Sequence, residues 1–188
     1  MFRPTLAVAL YLLAVPAFGQ DPATSPAPRF EVYFGYEHQA RLGSSWRYLD
    51  PNGAAFFFDW NVTGNRLGLV VRLDSFGVGH NTVDGTHVDY SLLAGPRFRF
   101  KAAGRLMPFC QVLFGIARGG TSDPLVPRPG RFTDAQSLAG GGLDVRLTDH
   151  FAARLIDVEQ RTLFGGPDMD ARLSVSAGIV GRFGQRKP

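Results

Sequence analysis

The sequence predicts an all-β chain, an eight-stranded antiparallel up-and-down transmembrane β-barrel, and three observations point there. Segments of roughly 9–12 residues alternate apolar with polar positions, the period of a strand and the length that a tilted strand needs to cross a bilayer. The connections between them alternate long and short, as in barrels with tight turns on one side of a membrane and longer loops on the other. Charges recur on one face of the segments, too many for the core of a water-soluble protein. Composition agrees, because 23 Gly disfavour helices and 16 Phe favour strands.

The chain opens with Arg3, an apolar stretch over residues 6–15, and Pro16-Ala17-Phe18-Gly19. This pattern predicts a signal peptide over residues 1–19, since the apolar run is shorter than the roughly 20 residues of a spanning helix. A Pro/Ala/Ser-rich leader over 20–29 follows, then the barrel over 30–183 and a tail over 184–188. A lone cysteine, Cys110, excludes an internal disulfide. The formal net charge of +4 is mildly basic; for an exported chain this fits anionic lipid headgroups better than nucleic acid.

Segment one, 30–37, sets Phe30, Val32, Phe34 and Tyr36 against Glu31, Tyr33, Gly35 and Glu37. Segment two, 54–62, sets Phe56, Phe58, Trp60 and Val62 against Phe57, Asp59 and Asn61, and Thr63-Gly64-Asn65 makes a tight turn. Segment three, 67–75, opposes Leu67, Leu69, Val71 and Leu73 to Gly68, Val70, Arg72 and Asp74. Segment four, 87–100, has Val88, Tyr90, Leu92, Ala94, Phe98 and Phe100 on one face and His87, Asp89, Ser91, Gly95, Arg97 and Arg99 on the other.

Segment five, 106–117, opposes Cys110, Val112, Phe114 and Ile116 to Gln111 and Gly115. Segment six, 136–147, opposes Leu143, Val145 and Leu147 to Asp144 and Arg146. Segment seven, 151–162, begins regularly around Arg154 but loses register at Asp157-Val158-Glu159, which reads as a bulge or as a strand end leaving the membrane. Segment eight, 171–183, opposes Leu173, Val175, Ala177, Ile179 and Phe183 to Arg172, Ser174, Ser176 and Arg182. Long connections follow the odd segments, at 40–53, 76–86, 118–134 and 165–170; short ones follow the even segments, at 64, 101–104 and 148–150.

In a closed barrel the charged face points into a narrow interior. The expected lumen network is Glu31, Asp59, Arg72, Asp89, Arg97, Arg99, Asp144, Arg146, Arg154, Arg172 and Arg182, with opposed charges pairing to close it. Gly35, Gly68, Gly95, Gly115 and Gly178 fall on the same face, where they leave room for neighbouring side chains. Phe30, Trp60, Phe98, Phe100, Phe151 and Phe183 map to the short-turn ends of the strands, and Tyr36, Phe56 and Tyr90 to the opposite ends. These are two expected interfacial girdles.

The chain resembles the outer-membrane β-barrel family, the eight-stranded OmpA/OmpX-like proteins of Gram-negative bacteria. The resemblance rests on Val32-Tyr33-Phe34-Gly35-Tyr36-Glu37, Leu93-Ala94-Gly95-Pro96-Arg97-Phe98, Pro108-Phe109-Cys110-Gln111-Val112-Leu113-Phe114-Gly115, Gly140-Gly141-Gly142-Leu143-Asp144-Val145 and the last segment. It implies location in the outer membrane, contact with outer-membrane lipid, insertion by the barrel assembly machinery, and four external loops open to an extracellular ligand. Family members typically end at the aromatic residue of the last strand; here Phe183 is followed by five residues, so that signal is internal. A wall-tethering domain after the barrel is not expected.

The functional expectation is a non-enzymatic, monomeric membrane barrel with an envelope-structural or surface-interaction role and no cofactor. The alternatives are a narrow porin for small polar solutes, a soluble periplasmic ligand-binding barrel, and a lipid-modifying outer-membrane enzyme. The last resembles barrel acyltransferases and rests on His38 as base with Asp74 and Ser75, all placed at the external rim. His38, His80, His87 and His150 have no metal-ligand spacing.

Overall fold

The computed structural model describes residues 28–41, 52–63, 66–77, 87–100, 104–121, 130–164 and 170–184. The expected signal peptide, residues 20–27 of the leader, the centres of the four long connections and the tail from 185 lie outside the described residues.

Eight strands form one sheet: β1 (Phe30–Arg41), β2 (Asn52–Thr63), β3 (Leu67–Gly77), β4 (His87–Arg99), β5 (Leu106–Thr121), β6 (Gly130–Arg146), β7 (Phe151–Phe164) and β8 (Asp170–Phe183). Each pairs antiparallel with its sequence neighbours, and β8 pairs with β1, so the sheet is a closed barrel with no free edge. The alternation read from sequence is physical. Along β3 every second residue is buried and every other one exposed, from Leu67 outward-facing to Phe76 inward-facing.

The register sets the strand tilt. A path across the strands runs from Phe30 to Trp60, Leu69 and Pro96, then through the register that sets Ala94 opposite Phe114 to Val112. It continues through Ala139, Gln160 and Leu173 and rejoins β1 at Ala40, ten residues above its start. A stagger of that size tilts strands by roughly 35–45° and leaves an eight-stranded interior that side chains alone fill.

Several expected boundaries move. β1 continues to Arg41 rather than ending at 37, β5 continues to Thr121, and β6 begins at Gly130 rather than 136. The expected 118–134 connection therefore gives up residues at both ends to paired strand, from Arg118 opposite Thr133 to Thr121 opposite Gly130. Backbone hydrogen bonding extends past the apolar band, beyond where the hydrophobic alternation fades. One consequence corrects the aromatic map. Phe56 sits opposite Phe34 in the middle of β1, so it belongs to the apolar band and not to an upper girdle. At the short-turn end the expected grouping is present, with Phe30 paired to both Trp60 and Phe183.

The register break in β7 is a bulge and not a strand end. Arg154 lies opposite Gly178 and Asp157 opposite Ser176, so β7 spends three residues where β8 spends two. Leu155 and Ile156 consequently both face outward, and Asp157, Glu159 and Arg161 return to the interior.

Candidate functional site

Outside, the barrel is an apolar belt: Phe34, Phe114, Ile179 and Leu155 are 66%, 62%, 61% and 57% exposed. In water so continuous a surface drives aggregation; in a bilayer it matches the solvent. Inside, among the described residues, stand eight buried carboxylates, Glu31, Glu37, Asp59, Asp74, Asp89, Asp144, Asp157 and Glu159. They face the buried arginines Arg72, Arg97, Arg99, Arg154, Arg161 and Arg182, with Arg172 at 12% side-chain exposure near the far mouth.

The network is layered along the barrel axis. At the short-turn end, Arg99 on β4 reaches across the lumen to Glu31 on β1, Asp59 on β2 and Asn61. Arg182 approaches Glu31 at 3.4 Å and Arg97 bonds Asp59 at 3.1 Å. In the next layer Arg154 holds Asp144 through Nε at 2.7 Å and Asp157 through Nη1 at 3.0 Å. Two guanidinium groups share the aromatic surfaces there. Arg154 lies 4.6 Å from the Phe57 ring centre, 4.0 Å from Phe109 and 4.8 Å from Tyr33, while Arg97 lies 4.2 Å from Phe57 and 4.7 Å from Phe109. Such stacking places each charge against the negative face of a ring.

Above this, Arg72 divides its fork among Asp74 (2.7 Å), Glu159 (2.6 Å) and Glu37 (2.8 Å). Arg161 bridges Glu37 and Asp74, both at 2.7 Å, and Ser91 donates to Asp74 at 2.9 Å. Gln111 joins the layers: its carbonyl accepts from Arg97 at 2.6 Å and its amide donates to Glu159. At the far mouth Arg172 pairs with Asp89 at 3.6 Å and donates to Gln39 at 3.3 Å.

Some of these bonds join neighbouring strands, as Arg154 on β7 does with Asp144 on β6, but others tie strands that are not adjacent in the sheet. Arg72 links β3 to β7 and β1, and Arg99 links β4 to β1 and β2. Tyr33, Phe57, Leu93, Leu113 and Leu138, each 0% exposed, fill the space between the charged layers. Inward glycines make room for this filling. Tyr33 stacks on Phe57 at 4.5 Å and lies against the cross-strand pair Gly35 and Gly178, where a Cβ on Gly35 would collide with the tyrosine ring. A Cβ on Gly95 or Gly115 would instead strike the backbone carbonyl of Val112 or Leu92, so there the strands themselves approach closely.

Of the expected lumen residues, Glu31, Asp59, Arg72, Asp89, Arg97, Arg99, Asp144, Arg154 and Arg182 are buried inside, and Arg146 and Arg172 are half-buried at the two mouths. Asp59 pairs with Arg97 and Arg99, and not with Arg72. Sequence reasoning left Glu37, Asp74, Asp157, Glu159 and Arg161 out of the network. Glu37 and Asp74 stood on the correct face but near expected strand ends; the other three lay beyond the β7 bulge, which reverses parity. The proposed rim constellation is not assembled. Asp74 points inward to two arginines, Ser75 is exposed on the outer face, and His38 Nδ1 lies 2.8 Å from Asn52 Oδ1.

No protein-family model and no curated protein matches the sequence. Solved structures do. Neisserial surface protein A is similar with a TM-score of 0.64 at 16% identity, covering 85% of this chain and 100% of that one. The attachment invasion locus protein Ail of Yersinia pestis follows at 0.55 and 17%, covering 82% and 99%. The N-terminal β-barrel domain of Pseudomonas aeruginosa OprF gives 0.50 and 16%, covering 81% and 98%. At these identities the likeness is one of fold.

Proposed function

From the premise that this chain has the eight-stranded outer-membrane β-barrel fold, we propose that it is a non-enzymatic envelope protein of structural or surface-interaction role. Its working surface is the set of four external loops, and its lumen is closed. One observation carries the reading: the interior is filled through successive layers by side chains that water does not reach, Arg72, Arg97, Arg154, Arg161, Phe57 and Leu113 among them. The carboxylates are occupied as arginine acceptors, which leaves them poorly suited to acid–base work.

Ail has been seen in complex with the heparin analogue sucrose octasulfate. For this chain the corresponding proposal is an extracellular ligand held by the loops. Insertion by the barrel assembly machinery would use the end of β8, where Phe183 is exposed beside Phe30.

Purified protein reconstituted in planar bilayers tests the closed lumen. The expected outcome is a bilayer without stable channel steps. Large, stable conductance replaces this reading with the narrow porin.

A further inference from the structure

The short-turn end of the barrel has a charge pattern that the lumen does not use. Arg29 precedes β1, Arg66 closes the β2–β3 turn and Arg105 closes the β4–β5 turn; all three side chains are exposed. Their backbones are pinned. Arg29 N donates to the carbonyls of Phe183 and Gly184 at 2.9 and 3.0 Å, Arg66 N donates to Thr63 at 3.1 Å, and the Arg105 carbonyl accepts from Arg146 N at 2.9 Å. Arginines thus stand at three of the four points where the chain turns or begins at this end. The fourth, the β6–β7 turn, holds Asp149 and His150.

Arg29 borders the lipid-facing side, and Arg66 and Arg105 are each followed by an exposed leucine of the outer face, Leu67 and Leu106. Arg29 lies over the ring of Phe30, 5.3 Å from its centre, so it extends along the outer surface and not into the mouth. Immediately above the arc stand exposed Trp60, Leu67, Phe98 and Leu106. Such an arrangement seats acyl chains on the apolar belt while guanidinium groups reach the phosphate level, where they bind phosphate oxygens in pairs. A zwitterionic headgroup also brings an ammonium, and the arc supplies cations where that group would need a carboxylate.

We propose that this arc selects anionic phospholipid, of the phosphatidylglycerol kind, in the leaflet facing the short turns. The proposal rests on the membrane-spanning reading above, and the experiment separates the two. Trp46 and Trp60 are the chain's two tryptophans. With Trp46→Phe, fluorescence reports from Trp60, which sits opposite Phe30 and Leu69 between Arg29 and Arg66.

The full chain in vesicles is compared for quenching by phosphatidylglycerol and by phosphatidylcholine brominated on the acyl chains. The expected result is a preference for the anionic lipid of roughly fivefold, the gain for one engaged arginine. It should shrink at high salt and approach one in R29Q/R66Q/R105Q. Equal quenching by both lipids, or a preference that survives in the triple variant, overturns the proposal. Quenching by neither lipid instead removes the membrane-spanning reading. Heat-modifiable gel mobility reports whether the triple variant has folded. If it has not, Arg29→Gln and Arg66→Gln singly must each lower the preference, and an unchanged value in either overturns the proposal.

Discussion

Arginine is the residue that makes this interior workable. Of the chain's basic residues only Lys101 and Lys187 are lysine, and among the described residues every cation in the lumen is arginine. Arg72 shows why: one planar fork serves Asp74, Glu159 and Glu37 at 2.6 to 2.8 Å, a division that a compact ammonium cannot make. Its removal leaves three carboxylates with Arg161 as the remaining bridge to two of them. Arg72→Leu should therefore lose ~3–5 kcal/mol, the cost of breaking a buried ion pair from one side. Arg72→Lys should fall between that variant and the parent. Urea unfolding in lipid vesicles, followed by gel mobility, measures both, and a loss below ~1 kcal/mol for the leucine variant would mean that the lumen solvates its own carboxylates. Alternation made the inward direction of Arg72, Asp59 and Arg97 legible from sequence. Their partners were not legible, because a bond across the lumen depends on the stagger accumulated around eight strands, which no local pattern encodes.

Among the strands, β7 is where local reading and register part. Six segments keep their parity from end to end, and β2 departs only at its last residues, where Asn61 pairs with Gly68 and Thr63 with Leu67 so that Val62 and Thr63 are both exposed; alternation alone could orient all seven. In β7 the outward pair Leu155-Ile156 shifts everything above it by one position, bringing Asp157, Glu159 and Arg161 inside. An ideal period of two assigns those three to the wrong face, and the sequence mark of the exception is two adjacent large aliphatics before a charge. A test follows from the same parity. Deleting Ile156 removes the extra residue and leaves Arg154, Asp157, Glu159 and Arg161 all facing inward, so the variant should still yield a heat-modifiable barrel. Deleting Leu92 from β4, which has no spare residue, turns the side chains on one side of the cut to the opposite face, Asp89 and Ser91 or Arg97 and Arg99 among them. That variant should fail to fold in the same refolding assay. Equal behaviour of the two deletions would mean that the bulge does not set the register.

For the molecule as a whole, closure fixes which groups share an end. An even number of antiparallel strands brings Phe30 and Phe183 together, and with them the turns that carry Arg66, Arg105 and His150. The opposite end gathers Asn52, Gly77, Thr121 and Gly130. Barrels of this fold keep short turns on the periplasmic side, so the two ends should differ in access from outside the cell. Gly77 suits a probe, because it is exposed and a Cβ there meets no atom within 4 Å. His150 suits the other end, since its side chain is exposed and its bonds to Thr148 Oγ1 (3.2 Å, from its N) and Arg182 N (2.8 Å, to its carbonyl) are made by the backbone, which a substitution keeps. In a Cys110→Ser background, which removes the half-buried native thiol, Gly77→Cys should react with a membrane-impermeant maleimide on intact cells. His150→Cys should react only after the outer membrane is permeabilised. Labelling of both on intact cells would contradict a spanning barrel. The reverse pattern would keep the barrel but invert it, moving the arginine arc to the outer leaflet and the candidate loops to the periplasm.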